Sequence, residues 1–181
     1  MYVLPFEPPF LQKHVYVQVC ARDKFIVLAA NPFRRVISAA AWARRISGGR
    51  VIKPYGFDEA EQIAHFRAFV EGAAGPPVTP ASKLLGRLPQ GADPRVVRTN
   101  RLQEDWLAAL AALGLPRSNF SRAHCVSSCL STERNIRSYE RGSAFDQRAL
   151  YDNASAARVL DWYRDDFARF GFSPRVADMF S

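Results

Sequence analysis

Between Phe25 and Ser38 the chain reads Phe25-Ile26-Val27-Leu28-Ala29-Ala30-Asn31-Pro32-Phe33-Arg34-Arg35-Val36-Ile37-Ser38, which sets two guanidinium groups and a hydroxyl just behind a helix-start signal. Those residue types at that spacing suit an anion. On a helix Arg34 and Arg35, four and three residues before Ser38, share its neighbourhood on the first two turns. A helix N-terminus adds partial positive charge and unpaired N–H groups, and arginine forks match the oxygens of phosphate or sulfate. The same letters also fit an ordinary amphipathic helix with solvated arginines, and spacing alone does not separate the two.

The elements that would hold these groups follow from local pattern. Phe25 to Leu28 is a short apolar run of β-branched and aromatic residues, as expected of a central parallel strand covered on both faces. Asn31 is a good N-cap and Pro32 fits the first helical position, so a helix is expected from Pro32 toward Ile46, stopping at Gly48-Gly49. Upstream, Val15, Val17 and Val19 alternate with Tyr16 and Gln18, a half-buried strand pattern. Asp58 with Glu61 makes a capping-box-like start, and Ile63, Phe66 and Val70 form one apolar face before Gly72. Residues 73–94, rich in Pro, Gly and Ala, read as a long substrate-facing loop. Arg95 to Arg98 forms a second short strand, and Thr99 or Asn100 caps a helix bearing Leu102, Trp106, Leu110 and Leu113, ended by Gly114 and Pro116. Residues 117–149 are polar and irregular. A last helix carries Leu160, Tyr163, Phe167 and Phe170 on one stripe and ends at Gly171.

Composition sets outer bounds. With 181 residues, 48% hydrophobic and 12% aromatic, the chain can bury one sizeable core, and residues 1–181 are expected to form a single domain. The formal net charge of +8 is carried mostly by arginines scattered along the chain, so anionic nucleotide or glycan partners fit better than nucleic acid held by one basic run. A nucleic-acid binder driven by charge alone is the weakest of the alternatives. Cys20, Cys125 and Cys129 form no Cys-x-x-Cys pair, and with His124 they fall short of a four-ligand metal set, so no metal is expected. Glu7, Pro8 and Pro9 interrupt any signal-like stretch, and no run reaches the ~20 apolar residues that span a bilayer. A cytoplasmic chain is the expectation, unless an N-terminal anchor has been lost.

Three stretches carry a family resemblance. Asn31-Pro32-Phe33-Arg34-Arg35-Val36-Ile37-Ser38 resembles the second nucleotide motif of the sulfotransferases that use 3′-phosphoadenosine 5′-phosphosulfate (PAPS), usually written Arg-Asn-Pro-Tyr-x-Arg-x-x-Ser. Val97-Arg98-Thr99-Asn100-Arg101-Leu102-Gln103-Glu104-Asp105-Trp106, followed by Leu113-Gly114-Leu115-Pro116, is similar to that family's Arg-Thr-Glu-x-Leu-x-x-Asp strand and helix. Leu150-Tyr151-Asp152-Asn153 and Trp162-Tyr163-Arg164-Asp165-Asp166-Phe167-Ala168-Arg169-Phe170-Gly171-Phe172 resemble its last helix. They occur in the family's order over roughly residues 20–175, and the bacterial and carbohydrate branch resembles the chain most.

The resemblance implies an α/β, P-loop-containing nucleotide hydrolase-like sulfotransferase fold: a parallel sheet flanked by helices, here N-terminally incomplete. It implies transfer of a sulfuryl group from PAPS, without metal, to a hydroxyl of a carbohydrate or small metabolite. Ser38, Arg35 and Arg34 would hold the 3′-phosphate, and Arg137 and Tyr139 lie in a segment that would fold over the nucleotide. His14 is the first candidate for the base that the acceptor hydroxyl needs, with Glu7 the carboxylate alternative; His65 falls on the solvent side of its helix and His124 in the irregular segment. Arg35 could instead anchor its helix through a carboxylate such as Asp105.

Two departures are visible. The Arg expected eight residues before Ser38 is Ala30, and nothing in residues 1–24 resembles the glycine-bearing phosphate loop that would cradle the 5′-phosphosulfate. One charged hydrogen bond to phosphate is worth about 1.5–3 kcal/mol, so Ala30 alone weakens donor binding by about one or two decades. The alternative is a catalytically incomplete sulfotransferase-like module that binds polyanions or a protein partner.

Overall fold

The computed structural model describes residues 17–21, 24–47, 59–114 and 146–180. It shows a mixed α/β chain, mostly helical, around a small three-stranded sheet in the order β1-β2-β3. Strand β1 (Val17–Ala21) runs antiparallel to β2 (Lys24–Ala29), with Val17 opposite Val27 and Val19 opposite Phe25. Strand β3 (Arg95–Arg98) lies parallel to β2, from Ile26 beside Arg95 to Ala29 beside Arg98. The sheet is therefore mixed where a parallel one is expected: β1 and β2 are joined by a two-residue connection, which permits only antiparallel pairing. The parallel partner needs a long crossover, and the chain between β2 and β3 carries α1 (Pro32–Ser47), α2 (Glu59–Gly72) and α3 (Ala81–Leu85).

Strand β2 is covered on both faces, which is why its sequence is an unbroken apolar run. Ile26, with Leu28 beside it, faces α4 (Leu102–Ala112), packing with Val97, Trp106, Ala109, Leu110 and Leu113. Val27 and Ala29 face the larger core, where Phe33 and Val36 of α1 meet Phe66 and Val70 of α2. The last two helices, α5 (Asn153–Trp162) and α6 (Arg164–Phe170), add Val159, Phe167 and Phe170 to that core, joined by Tyr163 between them.

Element boundaries follow the local signals closely at α1, α2 and β3, while Asp58 and Gly48-Gly49 lie outside the described residues. Three elements differ from expectation. The stretch 73–94 is not one loop, because Ala81–Leu85 forms a helix whose first N–H groups are met by a distant carboxylate, Asp166. After β3 neither Thr99 nor Asn100 caps α4. Instead Thr99–Arg101 makes a 3-10 turn, and Asp105 reaches back to accept from the Arg98 backbone N–H at 3.0 Å. The single last helix is two, broken at Tyr163 (φ −119, ψ 23), and the second ends on Gly171 in the left-handed region (φ 66). Asp152 and Ser155 cap each other at the start of α5.

Candidate functional site

The mouth of α1 opens just past the carboxyl end of β2. Asn31, 3% exposed, caps it, its Oδ1 accepting from the Phe33 N–H at 3.0 Å, and Pro32 needs no partner there. Phe33 is wedged between Tyr151, edge-on at 5.0 Å between ring centres, and Phe167 at 5.1 Å. The Tyr151 hydroxyl donates to the Phe33 carbonyl at 2.8 Å. Burial pushes that phenol well above its ordinary range, so it stays a donor.

Arg35 is turned inward. Its side chain is 1% exposed; Nη1 donates to Asp166 Oδ2 at 2.7 Å, Nη2 donates to the Thr79 carbonyl, and the guanidinium lies 5.2 Å over the Tyr163 ring. Asp166, equally buried, also accepts from the Ala81 and Ser82 N–H groups, both at 2.8 Å. The Tyr163 hydroxyl donates to the Val78 carbonyl at 2.8 Å and accepts from the Val78 N–H at 3.2 Å. Segment 78–82 is thus bolted to α1 and α6 by three buried side chains. Arg35 does anchor its helix through a carboxylate, but that carboxylate is Asp166. Asp105, the partner considered from sequence, belongs to Arg98, accepting from Nε at 2.8 Å and Nη2 at 3.1 Å. Hydrogen bonding from Arg98 holds the Asp105 carboxyl below the usual carboxylate range and raises Arg98 in turn.

Arg34 and Ser38 lie one helical turn apart on α1. Both are half-buried, and the Arg34 guanidinium sits 5.3 Å over the Phe180 ring. The carboxyl ends of β2 and β3 lie side by side at Ala29 and Arg98, each running at once into a helical turn. In open α/β sheets the crevice beyond such strand ends is where ligands are held. Arg35 is committed to Asp166 and the Thr79 carbonyl. His14, Glu7, His124, Arg137 and Tyr139 lie outside the described residues, and His65 is half-buried on α2. Among the described residues no group of three or more His, Cys, Asp or Glu could hold a metal ion, and no helix is long and apolar enough to cross a membrane.

Sequence reasoning passed over Asp166, Tyr163 as a polar group, and Phe180. The signal for Asp166 was present: Tyr163, Asp166, Phe167 and Phe170 keep the i, i+3, i+4, i+7 spacing of one helix face, so the acid stands on the apolar stripe and must find a buried partner. Phe180 gave no such signal, since one aromatic near a chain end has no period to belong to. Compared with known proteins, the chain matches no family model, no curated relative and no solved structure.

Proposed function

We propose that this chain is a sulfotransferase-like domain of P-loop-related fold that binds the 3′-phosphate half of PAPS and serves transfer of its sulfuryl group to a hydroxyl of a carbohydrate or small metabolite. One observation carries this: the three separate stretches that resemble the family come together in space. The strand that leads into the first lies parallel to the strand of the second, with Ala29 beside Arg98. The first is tied to the third by the Arg35–Asp166 pair and by Tyr151 on Phe33. Chance matches to short motifs have no reason to meet one another.

In this reading Ser38 donates its hydroxyl to the 3′-phosphate, Arg34 supplies charge, and the N-terminal dipole of α1 adds to both. Arg35 fixes the rotation of α1 through Asp166, in place of touching the nucleotide. Transfer itself moves the sulfur from the 5′-phosphate oxygen to the acceptor oxygen while a base takes the hydroxyl proton, the task proposed for His14. Calorimetry of the full chain with 3′,5′-diphosphoadenosine tests the site. Binding is expected, weakened about tenfold or more by Ser38→Ala. No heat at millimolar nucleotide removes the proposal.

A second reading is favoured by Ala30 and by the committed Arg35, which stand at the two places where the family motif has arginine. It is a non-catalytic module that grips polyanions or a protein. Retention on heparin that added nucleotide does not compete away would select it.

A further inference from the structure

We infer that Arg98 supplies the cation that the motif lacks at Ala30, offering the outer edge of its guanidinium to the nucleotide's 3′-phosphate; the inference rests on the proposed 3′-phosphate site. Arg98 ends β3 directly beside Ala29, the last residue of β2, and Ala30 is the next residue on. Neighbouring strands run about 4.8 Å apart, so the backbone at Ala30 starts within an arginine side chain's reach. Side chains alternate along a strand. Val96 packs on the larger core with Val27 and Ala29, so Arg98, two residues further, leaves β3 on the side that α1 covers. Its guanidinium nevertheless ends on Asp105 of α4, the helix on the opposite face. The side chain therefore crosses over the carboxyl ends of the strands, at the crevice where α1 begins.

The geometry of the pair leaves donors for an anion. Nε and Nη2 donate to Asp105 Oδ2 at 2.8 Å and Oδ1 at 3.1 Å, a side-on fork that fixes the plane and rotation of the guanidinium. Because the group is rigid and planar, its other edge, Nη1 with the second Nη2 hydrogen, points away from the carboxylate, and that edge donates to no described residue. The side chain is 27% exposed, so a ligand reaches it without breaking the fork. An anion on the outer edge meets the guanidinium first and Asp105 behind it, so the carboxylate weakens the attraction without cancelling it. Holding the fork also spends the side chain's rotamer freedom before the ligand arrives.

The experiment is calorimetry with 3′,5′-diphosphoadenosine on the full chain, comparing wild type, Ser38→Ala, Arg98→Gln and Asp105→Asn, each at a temperature where its melting curve shows it folded. Arg98→Gln is expected to weaken binding about tenfold or more, through loss of charge-assisted hydrogen bonds to phosphate. Asp105→Asn keeps an oxygen for Arg98 but removes the opposing charge, and is expected to tighten binding about two- to fivefold. A merely structural pair does not give opposite signs, since breaking it from either side removes the same contact. Wild-type affinity in Arg98→Gln overturns the inference alone, as does binding in Asp105→Asn no tighter than wild type; the second variant decides by itself if the first does not fold. A wild-type chain that does not bind the nucleotide, or a Ser38→Ala chain that binds it as wild type does, overturns the proposed site, and this inference with it.

Discussion

Asp166 accepts from Arg35 on α1 and from two backbone N–H groups at the start of α3, so one carboxylate serves parts of the chain more than 80 residues away in sequence. Removing either member of a buried pair strands the other's charge without water. Arg35→Met and Asp166→Asn are each expected to cost about 3–5 kcal/mol in urea unfolding, and the double variant well below their sum, because both remove the same pair. Tyr163→Phe leaves the buried Val78 N–H and carbonyl without their partner, a cost of about 1–3 kcal/mol by the same measurement. Both results would place these residues in the framework of the fold, distinct from Ser38, whose alanine variant should weaken binding at the proposed anion site and melt much as wild type does.

At the scale of elements, two termini carry separable contributions. The Asp152–Ser155 capping box starts α5, and Asp152→Ala should lower stability by about 1 kcal/mol. Gly171 closes α6 at φ 66 with nothing within 4 Å of where a Cβ would sit, so Gly171→Ala costs about 1 kcal/mol from backbone strain alone, read as a lower melting temperature without new clashes. Which elements were legible follows the same division. The start of α1 at Asn31-Pro32, the strand Arg95–Arg98 and the stop at Gly171 are written in residues that act within one turn of themselves. Helix α3 was not legible: its first N–H groups are satisfied by Asp166 from α6, and Pro80 before it reads as loop. The split of the last helix at Tyr163 was equally hidden, since the apolar stripe continues unbroken through a residue whose hydroxyl is drawn to Val78.

For the molecule as a whole, pH dependence should appear at both ends of the scale. Arg98 and its neighbours depress the Asp105 carboxyl below 3.8, its ordinary value. The pair's stabilisation is therefore complete above that value and is lost as pH falls through the lower folded pKa. Asp105→Asn should flatten the acid limb of melting temperature against pH, and an unchanged limb would remove Asp105 from that role. Burial pushes the Tyr163 phenol up to about 12. Its contribution is present below the ordinary 10.0 and lost as pH rises toward about 12, with Tyr151 adding in the same direction. Tyr163→Phe should thus melt lower at neutral pH yet lose less on going to alkaline pH than wild type.

The sequence by itself determined the covered strand at Phe25 to Leu28, the capped helix after it and the pairing of a hydroxyl with arginine on that helix's first two turns, because apolar period, cap chemistry and helical spacing are all local. Only the tertiary structure decided which arginine is buried against a carboxylate. Arg35 and Arg34 are equivalent as letters, but α1 packs with Arg35 toward Asp166, 131 residues further on, and with Arg34 toward Phe180. A charge's role is set by the dielectric and the partner it meets across space, and those exist only once the helix faces have docked.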